Sequence, residues 1–216
     1  MRAFDPQELL VSVHIPKCAG TSFIGWLRAA FDGRLHLHYP DLAPPEKLSH
    51  RAGWCVHGHF FHHAWPIGVN DYYPDARQYI TVLRDPLQMV ISSYFFMAHK
   101  GERLAPTLQA YLDEVLTQWP RLTQFAGMPA APDADDTWGW MNERFVWVGV
   151  VEALDTCLPV LAGRLGVRAA PMPLENTAPR DQVLADPRDW EARFRDKFAW
   201  EYGLYDKALA GARSPC

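Results

Sequence analysis

Short apolar runs alternate with longer segments of helical periodicity along this chain. A strand buried on both faces of a sheet reads as a continuous apolar run, so these runs predict strands at residues 9–14, 53–57, 79–83 and 145–151. Strands that alternate with helices favour a parallel sheet with helices on both faces. The pattern therefore predicts an α/β fold in which a single domain, residues 1–216, has a central parallel sheet flanked by helices.

Helices are predicted from apolar spacing together with start and stop signals. The helix after the strand at residues 79–83 has a clear start, because Asp85 suits the N-cap and Pro86 the first helical position. Gly166 closes a later helix. The C-terminal helix is amphipathic, with a break predicted near Gly203. The predicted helices cover residues 23–31, 44–50, 87–99, 107–118, 137–144, 154–165 and 187–210.

Segments rich in proline, glycine or aromatic residues predict irregular structure. Residues 61–74 predict an ordered loop suited to substrate contacts, since binding residues often lie on loops. Residues 127–135 predict a flexible surface loop, and the proline-rich residues 169–180 do not fit a regular element. Residues 35–39 form a short segment without an assigned element.

Length and charge narrow the classes of function. A chain of 216 residues can bury a substantial core, and a net charge of -4 disfavours broad electrostatic contact with nucleic acid. The N-terminus lacks the apolar core of a signal peptide and no stretch is long enough to span a bilayer, which predicts a cytoplasmic protein. The cysteines have neither zinc spacing nor a disulfide pattern. They are Cys18, Cys55, Cys157 and Cys216.

The loop after the first predicted strand has the residue types of an anion site. The first N–H groups of a helix have no acceptor within the helix and lie at the positive end of its dipole. Thr21 and Ser22 add hydroxyl donors, Gly20 allows close approach, and Lys17 adds a mobile positive charge. Because Lys17 precedes Gly20, the loop is not a Walker A element. The alternative is an ordinary turn with Thr21 as N-cap and Lys17 in solvent.

A second candidate anion site follows the strand at residues 79–83. Arg84 ends that strand, and Ser92 lies about two helical turns further on. A guanidinium and a hydroxyl group at this spacing suit a second phosphate. A salt bridge of Arg84 and a merely polar helix face at Ser92 are the alternative. Since ligands collect at the carboxyl ends of parallel strands, we expect this segment, the Lys17 loop and residues 57–60 to meet at one edge.

Together the two segments resemble the nucleotide-binding motifs of the sulfotransferase family. They are His-Ile-Pro-Lys-Cys-Ala-Gly-Thr-Ser-Phe at residues 14–23, and Thr-Val-Leu-Arg-Asp-Pro-Leu-Gln-Met-Val-Ile-Ser-Ser-Tyr at residues 81–94, within a motif of residues 80–94. The likeness is greatest to the carbohydrate branch that includes the heparan sulfate 2-O-sulfotransferases. It implies a P-loop-like sulfotransferase fold. It also implies in-line transfer of a sulfuryl group from 3′-phosphoadenosine-5′-phosphosulfate (PAPS) to a hydroxyl group, without a metal.

The resemblance also implies roles for individual residues. Lys17, Gly20, Thr21 and Ser22 would contact the 5′-phosphosulfate. The 3′-phosphate would be held by Arg84 and Ser92. A loop that closes over the nucleotide would contain Asn176, Thr177 and Arg180, although Asn and Thr are also ordinary turn residues. The likeness covers roughly residues 9–210 and departs from the family at Cys18, Ala19 and Val151, none of which removes a group that the chemistry requires.

Sulfuryl transfer to a hydroxyl group requires a base and a cation that stabilises the leaving phosphate. Lys17 suits the cation. The candidate base is His59 in Val-His-Gly-His-Phe, because this segment resembles a His-Gly-His segment of the 2-O-sulfotransferases whose second histidine has that role. His57 would orient the site or bind substrate. A structural histidine is the alternative for His59, and Glu102, Asp71 and Asp75 are alternative bases.

A metal site is disfavoured, because no cysteine or acidic pair completes a zinc pattern with His57, His59, His62 and His63. The resemblance implies a hydroxyl-bearing acceptor, with a saccharide favoured; no oligomeric state is indicated. Two other functions remain open: a nucleotide-binding module without catalysis, and a P-loop-like kinase, which would need Ser or Thr where Cys18 stands. Aromatic residues could stack on sugar rings, but most are expected in the core. They are Trp54, Phe60, Phe61, Trp65, Tyr72 and Tyr73.

Overall fold

A parallel sheet forms the centre of the protein. The computed structural model describes residues 1–39, 52–60, 68–102, 105–119, 122, 133–168, 171–172, 182 and 184–213. Within these ranges the strands are β1 (Leu10–Val13), β2 (Leu35–His38), β3 (Cys55–Gly58), β4 (Gln78–Leu83) and β5 (Phe145–Val150). The five strands form one sheet in the order β2-β3-β1-β4-β5, and every neighbouring pair is parallel.

Every residue of β1, β3, β4 and β5 is buried, because helices cover both faces of the sheet. This arrangement confirms the predicted α/β fold, and the four predicted strands are present with ends that differ by at most two residues. The unassigned residues 35–39 contain β2, which pairs with β3 at the edge of the sheet. The first three residues of β2 are only half-buried, and leucine alternates with histidine along the strand. The sequence therefore shows no continuous apolar run there.

The helices start and end at local signals that the sequence contains. Asp85 caps α3 (Pro86–His99), since its carboxylate accepts a hydrogen bond from the N–H of Gln88 at 2.9 Å. Gly166 ends α6 (Leu154–Leu165) in the left-handed conformation, as predicted. No helix in the described ranges is long and apolar enough to cross a membrane. The helices are α1 (Gly20–Phe31), α2 (Val69–Tyr72), α3 (Pro86–His99), α4 (Leu108–Gln118), α5 (Ala134–Arg144), α6 (Leu154–Leu165), α7 (Pro187–Lys197) and α8 (Ala199–Arg213).

The predicted break near Gly203 is wrong. The C-terminal helix is interrupted at Phe198, and Gly203 lies inside α8. A Cβ at Gly203 would be 2.9 Å from the Cβ of Ala134, so the glycine allows α8 to approach α5 rather than ending a helix. Phe198 is buried and its ring packs against Phe194, with 5.4 Å between centroids. Core packing of this aromatic ring therefore accompanies the interruption between the two helices.

The other irregular segments are described only in part. The predicted loop at residues 61–74 contains the one-turn helix α2, and its residues 61–67 lie outside the described ranges. The predicted helix at residues 44–50 also lies outside them. Of residues 127–135, the described part belongs to α5, whose N-cap is Asp133. Of residues 169–180, only 171 and 172 are described.

Replacing Gly58 with alanine is expected to destabilise the protein by about 3 kcal/mol. A Cβ at this position would lie 1.8 Å from the backbone oxygen of His38, which accepts a hydrogen bond from the N–H of His59 at 3.0 Å. Strand β3 would have to move away from β2, because a backbone oxygen cannot rotate aside as a side chain can. Chemical denaturation followed by circular dichroism measures the loss.

The matched control is Gly163→Ala in α6. A Cβ there would meet no atom within 4 Å, so this variant should be as stable as the original or more stable by up to about 1 kcal/mol. Equal stability of the Gly58 and Gly163 variants would contradict the close contact between β2 and β3.

Candidate active site

The connections of the sheet create a crevice at the carboxyl ends of β1 and β4. After β1 the chain passes through α1 to β2 on one side of the sheet, whereas after β4 it passes to β5 on the other side. Neighbouring strands whose connections leave in opposite directions form the place where parallel sheets bind ligands. Lys17 follows β1, and Arg84 follows β4. The topology therefore places two predicted site residues at the same crevice.

The loop between β1 and α1 has an unusual backbone. Lys17 and Ala19 are in the left-handed region, with φ of 64° and 58°, which non-glycine residues rarely adopt. The N–H of Cys18 donates to the carbonyl of Ile15 at 3.2 Å, and the buried Cys18 thiol anchors the loop in the core. Alternating left-handed residues direct successive N–H groups to one side, as in anion-binding nests. The conformation suits a phosphate or sulfate.

Arg84 joins this loop to the end of β4. Its Nη1 donates a hydrogen bond to the carbonyl oxygen of Lys17 at 2.9 Å. Within the strands themselves, the hydroxyl group of Thr81 in β4 donates a hydrogen bond to the carbonyl of Val13 in β1 at 2.9 Å, which fixes β1 against β4. Ser92 is half-buried on α3, about two turns after Arg84. The expected meeting of the two segments is thus present in the structure.

The Lys17 ammonium group is only partly exposed to water. Its Nζ lies 3.6 Å from the centre of the Phe96 ring, and Nζ of Lys100 lies 4.6 Å from the same centre. Burial, followed by the positive charges of Arg84 and Lys100, lowers the pKa of Lys17 from 10.5 to about 8. Three cationic side chains therefore share this end of the crevice, and a bound anion would relieve their repulsion.

His57 lies beneath the crevice rather than in it. Its side chain is 1% exposed, and Nδ1 lies 2.8 Å from the hydroxyl oxygen of Ser12. Burial lowers the pKa of His57 to about 3, so the ring is neutral at neutral pH. The ring stacks on His14, with centroids 5.1 Å apart. This position suits orientation of neighbouring rings and not direct contact with a substrate.

His59 lies closer to the surface, at the end of β3. Its Nε2 is 3.0 Å from Nδ1 of His14, and the His14 and His59 rings meet edge to face. The Tyr39 hydroxyl is 2.8 Å from the same His14 nitrogen. Neither His14 nor Tyr39 is among the site residues predicted from the sequence. Their positions directly after β1 and β2 are the signal that could have found them, because those strands flank β3.

The space above Gly20 is filled by His14. A Cβ at Gly20 would lie 1.6 Å from Nε2 of His14, so this glycine admits an imidazole against the first residue of α1. Ser22 is buried in the first turn of α1, and Thr21 is exposed. The N-cap of α1 is Ala19, not Thr21. Asn176, Thr177, Arg180, His62 and His63 lie outside the described ranges.

The alternative bases lie elsewhere or have other tasks. The Asp71 carboxylate accepts a hydrogen bond from the N–H of Gly68 at 2.7 Å and caps α2, while Asp75 and Glu102 are exposed. Phe60 and Tyr73 are buried around the ring of His38, as expected for core aromatics. In the described ranges, no three His, Cys, Asp or Glu side chains are arranged to hold a metal ion.

Comparison with known proteins relates this fold to sulfotransferases. No protein-family model matches the chain, and no curated protein sequence matches it. The chain is similar in structure to a sulfotransferase from Alicyclobacillus acidocaldarius, with a TM-score of 0.55, 14% identity, and 98% of this chain and 100% of that one covered. For a mouse sulfotransferase, SULT7A1 complexed with PAP, the TM-score is 0.48 and the sequence identity is 12%, with 78% of this chain and 62% of that chain covered. The first likeness shows that this chain has the fold of the bacterial enzyme.

Proposed function

We propose that this chain is a sulfotransferase that moves a sulfuryl group from PAPS to a hydroxyl group. The observation that carries the proposal is the contact of Arg84 with the Lys17 loop, at 2.9 Å, where the connections of β1 and β4 diverge. Two cationic segments on neighbouring strand ends suit a nucleotide with two separate phosphate groups. The fold shared with a bacterial sulfotransferase supports the same assignment.

The described residues fit such a nucleotide. The left-handed turns at Lys17 and Ala19 and the start of α1 suit the 5′-phosphosulfate, with Thr21 and Ser22 as further donors. Arg84 and Ser92 suit the 3′-phosphate. By resemblance alone, the proposal adds Asn176, Thr177 and Arg180 as a loop over the nucleotide.

When bound, PAPS supplies an activated sulfuryl group. The bond from sulfur to the phosphate oxygen breaks and a bond from sulfur to the acceptor oxygen forms. Lys17 stabilises the negative charge that develops on the phosphate, because it is a cationic side chain of the loop that leads into α1. His59 takes the proton of the acceptor hydroxyl, and His57 supports the ring stack beneath it. Neither role requires a metal.

The proposed acceptor is a saccharide hydroxyl. The His-Gly-His segment that resembles the 2-O-sulfotransferases supports this class, and the Tyr39 ring lies 5.1 Å from the His59 ring, where an aromatic face suits a sugar. Incubation with ³⁵S-labelled PAPS and a panel of oligosaccharides, phenols and peptides tests the assignment, because only transfer confined to saccharides agrees with it.

Saturating 3′-phosphoadenosine-5′-phosphate (PAP) is expected to raise the melting temperature by about 5–10 °C. A ligand at roughly 100 times its Kd stabilises the folded state by about 2.7 kcal/mol, and a chain of this size gains about 2–4 °C for each kcal/mol. Differential scanning fluorimetry measures the shift.

Two nucleotides provide the controls. AMP lacks the 3′-phosphate and should give a smaller shift, because it cannot use Arg84. ATP tests the kinase alternative, since a larger shift with ATP and Mg²⁺ than with PAP would favour that function. No shift with PAP would contradict the proposed function, whereas PAP binding without transfer to any acceptor would favour a binding module.

A further inference from the structure

His14 lies between the candidate base and the anion-binding loop. On one side, its Nδ1 is 3.0 Å from Nε2 of His59. On the other side, its Nε2 lies against the first residue of α1, where a Cβ on Gly20 would be 1.6 Å from this nitrogen. A single imidazole therefore touches both His59 and the start of the helix.

The proton of His14 determines how it meets His59. Burial, followed by the charges of His57, His59 and Lys17, holds the pKa of His14 well below its usual range. A neutral imidazole has one N–H group and one nitrogen lone pair. With its proton on Nδ1, His14 donates to Nε2 of His59; with its proton on Nε2, His14 accepts from it. The tautomers of the two rings are thus linked, because two facing N–H groups or two facing lone pairs would repel.

The base needs one of these two arrangements. A general base presents a lone pair to the acceptor hydroxyl. Since Nε2 of His59 faces His14, the proposal gives that task to Nδ1, and the His59 proton must then be on Nε2. Nδ1 of His14 must accept this proton in a hydrogen bond, which puts the proton of His14 on Nε2, beside Gly20.

An anion bound at the start of α1 changes which nitrogen of His14 carries the proton. The positive end of α1 and the Lys17 ammonium group favour a lone pair on Nε2 of His14. An anion at the same place favours an N–H donor there. We propose that His14 is a positioning residue that transmits binding of an anion at the start of α1 to His59, by moving the His59 proton from Nδ1 to Nε2.

Each ring exchanges one proton with water, so the number of bound protons stays constant. The Tyr39 hydroxyl, 2.8 Å from Nδ1 of His14, can donate or accept and fits both states. This role rests on the proposed function, because it assumes that His59 is the base. It makes the base competent only when the donor nucleotide is present.

The tautomer of His59 reports on the coupling directly. Protein labelled with ¹⁵N-histidine is examined by long-range ¹H–¹⁵N NMR without ligand and with saturating PAP, and His59→Gln identifies the His59 signals. We expect PAP to move the proton toward Nε2. Calorimetric PAP binding with an unchanged His59 tautomer overturns the role of His14 and leaves the proposed function standing. Absence of PAP binding overturns both.

Variants at His14 separate coupling from structure. In His14→Asn, the amide group takes the place of Nδ1 and meets His59 but is too short to reach Gly20. We expect this variant to bind PAP severalfold more weakly, because the anion loses the N–H donor of His14, and to lose the tautomer response. His14→Leu, which has a side chain of similar size, should also lose the response of the His59 tautomer to PAP. Tyr39→Phe should keep this response. A wild-type response in His14→Asn overturns the proposal, even where the Leu variant does not fold.

Discussion

Lys17→Ala is expected to reduce sulfuryl transfer by about a hundredfold to a thousandfold. In the proposed mechanism, the Lys17 ammonium group meets the negative charge that develops on the leaving phosphate. Its Nζ is held 3.6 Å from the Phe96 ring centre. The rate is measured in single turnovers with ³⁵S-labelled PAPS and an acceptor from the saccharide screen.

Lys100→Ala is the matched control, because Lys100 lies over the same ring at 4.6 Å but is exposed and outside the loop. Its loss should change the rate by severalfold at most, through the electrostatic field. Since the pKa of Lys17 in the free protein is about 8, kcat/KM for PAPS should fall as the pH rises through 8. This alkaline fall should be absent in Lys17→Ala. A wild-type rate in that variant would exclude Lys17 as the cation.

His59→Ala should lower the transfer rate by about a hundredfold to ten-thousandfold, while the affinity for PAP changes by severalfold at most. The side chain lies at the end of β3, away from the Arg84 contact with the loop, so the nucleotide groups keep their positions. Quenched single-turnover assays measure the rate of sulfuryl transfer, and calorimetry measures the affinity for PAP.

His99→Ala is the control for a change of one imidazole, because His99 is exposed in the last turn of α3. It should transfer at the wild-type rate. Equal rates in the His59 and His99 variants would remove the base assignment and leave the nucleotide site unaffected. A parallel loss of PAP affinity in His59→Ala would instead indicate that the ring supports the loop.

Features with local causes could be predicted from the sequence. The start of α3 depends on Asp85 and Pro86, and the end of α6 on Gly166, all within one turn of the helix concerned. The meeting of Lys17 and Arg84 at the carboxyl ends of β1 and β4 could be predicted from the two apolar strands, because ligands of parallel sheets bind at the carboxyl ends of the strands. These features need no knowledge of distant contacts.

Features that depend on distant packing could not be predicted in this way. Gly203 has the composition of a helix break, but its role is set by Ala134, far away in the chain. The edge strand β2 has no strong apolar run in its sequence, and it forms a strand because it pairs with β3. His14 was visible in the first motif without an apparent task, because its partner His59 is 45 residues later.

The two left-handed residues in the Lys17 loop bear on the cost of binding. A non-glycine residue in this conformation costs on the order of 1–3 kcal/mol, and the folded protein already sustains it at Lys17 and Ala19. A ligand that enters the loop therefore meets a preorganised backbone and loses little conformational entropy in ordering it. The cost falls on the stability of the fold and not on the affinity for the ligand.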